Sequence, residues 1–504
     1  MRKLNETTNG RGTRNALRRL SLPMAFALLA VPTMVTAQDR PHPAAAPMIA
    51  SYDLGRVDQF NPGKALDTIP DDPAARRRNA EAVATEAAIY GLPAVLQYAE
   101  MYAQAIDRGS KRYVGFNRFV HDRDLAGPEY AAFKSPNSDT LYSNAWLDLT
   151  AGPLIVAVPP VPLKYYTLNF FDAYGNASNI GTRTFGSKGG RYLIAPTSWT
   201  GTVPPGVTVF RVATPHMWVL MRIFAQKPSE VAMARTLQDR VTIARYDAGR
   251  TQSAAPGSAP PATDRETGTG FLRILDSVLR SNGHPVQEDA LVHRFQAVGV
   301  GLAAPFDPAA LDEETKAGIE AGYQAAMTII RASRSQLGIA TGKGWNRIEK
   351  ARYGFNYLNR ATINYVGLGA NVSEENYSFN TFSDAAGRPL DGSRAAYTLT
   401  LAPPPPVDAF WSVTLYDAAT YRLHPNVLKR YLVNDRTPGL IVGKDGSVKI
   451  LIQRDRPGNA TNWLPAPDRP FYLALRAYLP KADLLNGRWT PDGVVATPIG
   501  AAVP

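Results

Sequence analysis

The sequence spans 504 residues with a formal charge of +12, 45% hydrophobic residues and no cysteine. That composition excludes disulfides, thiolate nucleophiles and cysteine-ligated metals, leaving the core alone to hold the chain together. The basic excess is thinly spread, with Arg76-Arg77-Arg78 the one block after the leader; this argues against nucleic acid as a partner, and the length calls for two or more domains.

Arg2, Lys3, Arg11, Arg14, Arg18 and Arg19 precede a short apolar run from Leu20 to Val35 that closes in Val35-Thr36-Ala37. This is the pattern of an export signal. The run is too short and too interrupted by proline to span a bilayer, which takes about 20 residues. The expectation is a signal peptide over 1–37, a periplasmic or secreted protein, and no membrane span after cleavage. A leader covers 38–72. Over 73–106, Val83, Ala87, Leu92, Val95, Tyr98 and Met101 recur at helical spacing, and Gly91-Leu92-Pro93 predicts a break into two helices.

From 135 to 226 the pattern becomes that of strands. It opens on Ser135 to Asp148, SPNSDTLYSNAWLD, which is denser in polar and aromatic groups than a solvated loop or an apolar strand requires. Short β-branched or aromatic runs follow at 154–158, 165–171, 190–195, 207–212 and 218–224, separated by proline and glycine turns. Residues 227–374 return to helix, with segments predicted at 230–246, 269–281, 288–300 and 313–337 and a Ser/Ala/Pro/Gly connector over 251–268. Strands are predicted again over 375–492, at 397–401, 410–416, 448–453 and 471–478. The stretch 440–450 reads as a hairpin turning at Asp445-Gly446. The remainder, 493–504, is a tail. Tyr165-Tyr-Thr-Leu-Asn-Phe-Phe-Asp-Ala173 and Phe410-Trp-Ser-Val-Thr-Leu-Tyr-Asp-Ala418 share one grammar, an aromatic strand ending in Asp-Ala, and read as related strands of two domains.

With these blocks in place the chain resembles a bacterial two-domain family, whose halves are domains of unknown function numbered twelve-fifty-four (N-terminal) and twelve-fourteen (C-terminal). The first half rests on SPNSDTLYSNAWLDL, Tyr165 to Tyr174, Gly181-Thr-Arg183 and Gly201 to Gly206. The second rests on Pro406 to Ser412, Asn434 to Gly439, Asn462 to Pro467 and Arg476-Ala-Tyr478. The resemblance implies two β-sandwiches with helical additions, usually exported, and no settled activity. The fold expected is α+β: two antiparallel, jelly-roll-like β-sandwich domains (73–226, with its opening helices, and 375–492) and a helical region between them over 227–374.

Asp139 and Asp172 are the leading carboxylates, with Asp148 third. Two carboxyl groups in unequal surroundings divide acid and base work in glycoside hydrolysis, while the plainer reading makes each a turn cap. Arg183 and Arg222 are candidate clamps for an anionic group, or structural partners of Asp172 or Asp148. Asn137, Tyr142 and Trp463 are candidate substrate contacts, Trp463 because a loop tryptophan has little packing reason to exist. The six histidines form no close pair, so no metal site is assigned; calcium or another divalent cation held by Asn137, Asp139 and nearby carbonyls is left open. Nucleophile-elbow, Rossmann and phosphate-loop motifs are absent. The function expected is an exported hydrolase-like enzyme on a small polar or glycan-like substrate, with Asp139 and Asp172 as the carboxylate pair. The alternative is a non-catalytic envelope module, and self-association into a homo-oligomer is left open.

Overall fold

Asp72 accepts a hydrogen bond from the Ala75 amide at 2.7 Å, and Pro73 follows it at the first helical position, which fixes the start of helix α1 (Pro73–Met101). The structure is a computed structural model that describes residues 69–130, 134–246, 259–458 and 460–499; the predicted signal peptide lies outside these. Helix α1 runs on through Gly91-Leu92-Pro93 instead of breaking. Proline leaves the Ile89 carbonyl without its intrahelical donor. Burial on both flanks holds the helix together there, and Arg360 donates Nη2 to the neighbouring Tyr90 carbonyl at 2.9 Å. Helices α2 (Pro228–Arg240), α3 (Gly268–Asn282), α4 (Glu313–Ala332) and α5 (Tyr357–Val366) follow. Helix α4 lies hard against α1: a Cβ on Gly322 would fall 2.4 Å from the Glu81 carbonyl.

The strands form two sandwiches. The first contains β1 (Val120–His121), β2 (Thr140–Asp148), β3 (Leu154–Val158), β4 (Tyr166–Phe171), β5 (Ala177–Gly181), β6 (Gly190–Pro196), β7 (Thr208–Val212), β8 (His216–Phe224) and β9 (Thr242–Arg245). Its sheets have the orders β1-β2-β8-β4-β5 and β7-β6-β3-β9. The second contains β10 (Ile339–Ala340), β11 (Asn346–Ile348), β12 (Asn376–Thr381), β13 (Ala395–Leu401), β14 (Val407–Asp417), β15 (Leu432–Asn434), β16 (Val448–Gln453), β17 (Trp463–Pro465), β18 (Phe471–Pro480) and β19 (Val495–Pro498). Its sheets have the orders β10-β11-β12-β18-β14-β15 and β17-β16-β13-β19.

The two orders are the same apart from the edge beyond β2 and β12, where the first sandwich has one strand, β1, and the second has two, β10 and β11. Each of β2 to β9 has its counterpart among β12 to β19, and the pairs β6–β7 and β16–β17 are both parallel. A parallel pair in each small sheet departs from the purely antiparallel expectation. Registers agree as well. Arg222 pairs with Tyr142 and Thr167, and Arg476 pairs with Ser378 and Ser412. Asp139 and Glu375 stand one residue ahead of β2 and β12, and their carbonyls accept from Ala225 and Leu479 in equivalent bonds of 3.1 Å. The two sandwiches meet at matching ends: Phe224 lies 4.2 Å from Phe410, which stacks on Tyr478 at 4.1 Å, and Tyr165 meets Tyr478 edge-on at 5.3 Å.

Sheet β1-β2-β8-β4-β5 is buried on both faces. Leu141, Ala145 and Leu147 of β2 pack into the sandwich, while Tyr142 and Trp146 face the helices with Trp218 and Leu220. Alternation puts the two sets on opposite faces. The aromatic density of 135–148 is therefore largely packing: Trp146 stacks on Trp218 at 5.7 Å, and the Trp218 indole donates to Asn144 at 3.1 Å.

Two further predicted elements differ. The helix expected through 246 stops at Arg240, because the β-branched Val241-Thr242-Ile243 run favours a strand and the edge of β3 accepts it as β9. The hairpin over 440–450 keeps its turn, with the Gly446 amide donating to the Gly443 carbonyl at 2.9 Å, but not its first strand. Both edges of β16 are already taken, by β13 and by β17.

Candidate anion-binding cleft

The segment after residue 133 leaves the first sandwich and is pinned to the outer face of the second. The Ser135 amide donates to the Tyr421 carbonyl at 2.9 Å, its hydroxyl meets the Tyr472 hydroxyl at 2.6 Å, and its carbonyl accepts from Arg476 Nη2 at 3.0 Å. Ser135 holds φ at 54° to do this, a left-handed conformation that serine rarely adopts. On the outer face of β12, β18 and β14 alternation places Ser378, Arg476 and Ser412 in one row across the sheet. The crossing segment, this face and the chain after α5 enclose a pocket of about 130 Å³. It continues into an outer cavity of about 560 Å³ walled by Trp345, Phe382, Tyr421 and Tyr472, with Arg331 and Arg334 at its rim.

Lys134 lines the inner pocket with its ammonium over the Tyr365 and Tyr421 rings at 5.1 and 5.6 Å, and three further basic side chains converge there. Arg222 donates to Asn371 Oδ1 at 2.8 Å and to the Gly369 carbonyl at 2.6 Å, and its guanidinium sits over the Tyr142 ring at 5.6 Å. Gly369 has φ of +81°, and a Cβ there would meet the Trp218 ring at 2.7 Å, so glycine is required. Arg476 donates to the Tyr416 hydroxyl at 2.8 Å. Lys350, half-buried, donates Nζ to Asn376 Oδ1 at 2.8 Å and Ser378 Oγ at 2.5 Å. All the acceptors are neutral, and among the described residues none of the three cations forms an ion pair. Burial, reinforced by Arg476 and then Arg222, pushes the Lys350 ammonium well below the usual lysine range. Arg222 Nε and Asn376 Nδ2 are buried donors without a partner, an arrangement that costs free energy unless something accepts from them.

Asn137, Tyr142 and Arg222 thus come together as predicted site residues, the Asn137 amide donating to the Tyr142 hydroxyl at 2.7 Å. Asp139 lies beneath them, fully buried. Burial pushes its carboxyl up to about 6, and Arg476 and Ser412 offset part of the cost, though neither carboxylate oxygen completes a well-formed hydrogen bond. A divalent cation at Asp139 would have to share it with the Arg476 guanidinium. No group of three or more acidic or histidine side chains capable of holding a metal occurs among the described residues.

The other predicted residues lie elsewhere. Thr140 and Phe171 sit at opposite ends of β8, paired with Phe224 and Trp218. That separates Asp139 from Asp172 by roughly 20 Å at the rise of a strand, beyond the roughly 5–9.5 Å of a glycosidase pair. Asp172 accepts from the amides of Tyr174 and Asn176, both at 2.9 Å, and borders a cavity of about 20 Å³, room for one water. Its counterpart Asp417 caps Ala419 and Thr420 in the same way at 3.0 and 2.8 Å. A role repeated in both halves is a turn cap. Arg183 is tied to Glu375 at 2.7 Å, and Asp148 caps Thr150 at 2.9 Å. Trp463 is not in a loop: it is buried in β17, its indole donating to the Gln453 carbonyl at 2.8 Å.

Residues 116–245 match the model described as protein of unknown function (DUF1254), and residues 375–482 match that described as protein of unknown function (DUF1214). Both domains of the family are present. Arg222 belongs to the DUF1254 domain and Arg476 to the DUF1214 domain, while Lys350 comes from the segment between them. The crystal structure of the VPA0106 protein from Vibrio parahaemolyticus is similar, with a TM-score of 0.63 and 24% identity over 83% of this chain and 100% of that one; the likeness is one of fold. An uncharacterized protein from Burkholderia cenocepacia gives a TM-score of 0.41 at 14% identity, covering 85% of this chain and 90% of that one. No curated protein matches the chain.

Proposed function

We propose that the protein is exported to the periplasm or beyond, and that it binds and acts on a small anionic molecule in the cleft between its two sandwiches. The observation that carries this is the convergence of Arg222, Arg476 and Lys350 on one pocket with only neutral partners. The two guanidiniums, permanent charges in a confined and poorly solvated space, attract a carboxylate, phosphate or sulfate far more strongly than they would in water, and Lys350 adds a further hydrogen-bond donor. The outer cavity, aromatic with arginines at its rim, suits the remainder of a larger acidic ligand, an acidic sugar among them. No helix among the described residues is long and apolar enough to cross a membrane.

Hydrolysis by Asp139 and Asp172 as a pair is not the chemistry this cleft offers, because Asp172 stands at the far end of the sheet. A binding module without turnover is the second reading. It draws on the clamp's rigidity: both arginines are already fixed by protein acceptors.

Thermal melting of the purified protein in oxalate, phosphate or sulfate tests the site. An anion at about a hundred times its dissociation constant adds about 2.7 kcal/mol of stability, and Arg222→Met is expected to weaken that binding roughly 10- to 100-fold. Melting temperatures indifferent to all three anions, or equal shifts in the wild type and Arg222→Met, would dispose of the proposal.

A further inference from the structure

We infer that Lys350 is a nucleophilic amine that condenses with the carbonyl carbon of a 2-oxo acid whose carboxylate is held by Arg222 and Arg476. This rests on the anionic-ligand reading of the cleft and adds a reaction to it. A lysine serving only to bind an anion sits best where its charge is cheap to keep. Lys350 sits where the charge is costly, in a pocket of about 130 Å³ that already holds Arg222 and Arg476. Its half-buried side chain lines the pocket, and Asn376 Oδ1 and Ser378 Oγ fix the direction of Nζ.

The charged groups facing it act in opposed senses: Arg476 and Arg222 disfavour the ammonium, and only Glu349 favours it. A lysine kept neutral by desolvation and neighbouring cations is the standard way to obtain an amine nucleophile near neutral pH. The arginines supply the second requirement, since an anion they clamp presents the adjacent carbonyl carbon to the amine.

In the step itself the nitrogen lone pair forms the C–N bond while the carbonyl π electrons move to oxygen. A proton passes from nitrogen to that oxygen, giving a carbinolamine. Protonation and loss of the hydroxyl as water leaves the iminium, with no oxidant or reductant consumed. The iminium then withdraws electrons from the neighbouring carbon and eases loss of a proton there.

The full chain is incubated with glyoxylate, small enough for the inner pocket, and reduced with borohydride, whose hydride fixes any imine as a stable secondary amine. Peptide mass mapping is expected to find a carboxymethyl group on Lys350, formed at least about tenfold faster than on exposed lysines such as Lys188. Glycolate, which lacks the carbonyl, should compete. Lys350→Arg, which keeps a hydrogen-bond donor in place of the amine nucleophile, should lose the adduct. Mapping on the wild type locates the modification even if that variant fails to fold.

Labelling spread evenly over surface lysines, or absent from Lys350, overturns the inference. If oxalate still stabilises the protein in an Arg222-dependent way, the anion site stands and only the amine chemistry falls; if it does not, both fall.

Discussion

Above pH 6 the Asp139 carboxyl is ionised among Arg476, Ser412, Asp435 and Tyr478, in a place where burial pushes its pKa up to about 6. In the unfolded chain the group keeps its ordinary value of 3.8. Between those values the native state binds more proton than the unfolded state, so stability falls as pH rises through that window and levels off above it. Asp139→Asn imitates the protonated form. It should remove that slope and raise stability at pH 8 by up to about 3 kcal/mol in urea denaturation; a loss of stability there would show Asp139 to be a structural cap or ion-pair partner. The same negative charge opposes an incoming anion. Affinity for oxalate should therefore rise as pH falls through about 6 in the wild type and lose that dependence in the variant, which calorimetric titration at pH 5 and 7.5 would reveal. Arg222 was readable from sequence because an arginine alternating within an apolar strand has to find partners. Arg476 was equally readable, since Trp218-Val-Leu-Met-Arg-Ile-Phe224 and Tyr472-Leu-Ala-Leu-Arg-Ala-Tyr478 share one pattern. Lys350 was not, because nothing local marks a lysine before a turn as one that folds inward.

Among the elements, the chain after α5 has the most exacting job. It must return Gly369 and Asn371 to Arg222 while passing against the Trp218 ring. Gly369→Ala meets both a left-handed backbone and a collision. It should cost roughly 1–3 kcal/mol and, by displacing an acceptor, weaken anion binding along with Arg222→Met. Unchanged oxalate affinity in a folded Gly369→Ala protein would show that Arg222 needs no such holder. Strands were largely legible because β-branched and aromatic runs are bounded by turn residues. Misreadings arose where tertiary pairing decided the outcome. Val241 to Arg245 became β9 because β3 had an open edge, and Leu440 to Gly443 stayed unpaired because β16 had none. Pro93, read as a break, sits inside α1 because burial on every side outweighs one missing hydrogen bond.

At the scale of the whole molecule the two sandwiches are held end to end by Tyr165, Phe224, Phe410 and Tyr478, all almost fully buried. Removing a ring from such a joint leaves a cavity in both halves at once. Phe410→Ala is expected to cost roughly 3–5 kcal/mol and to loosen the cleft, which denaturation and oxalate titration would each register. Near-wild-type stability would mean that the halves are joined elsewhere. The shared Asp-Ala strand ending was the visible trace of the repeat; the common order of β2 to β9 and β12 to β19 was hidden, because topology leaves no mark on residues that pair far apart in sequence.

The matching ends also bear on symmetry. Two identical sandwiches paired through those ends would set their strand arginines in equivalent places and carry two identical outer faces. Here the outer face of the first is covered by α1, with Tyr98 and Met101 beside Trp146 and Trp218, while that of the second opens on the cavity walled by Phe382, Tyr421 and Tyr472. One fold thus closes one copy of the face and leaves the other open, an asymmetry that no symmetric dimer can sustain.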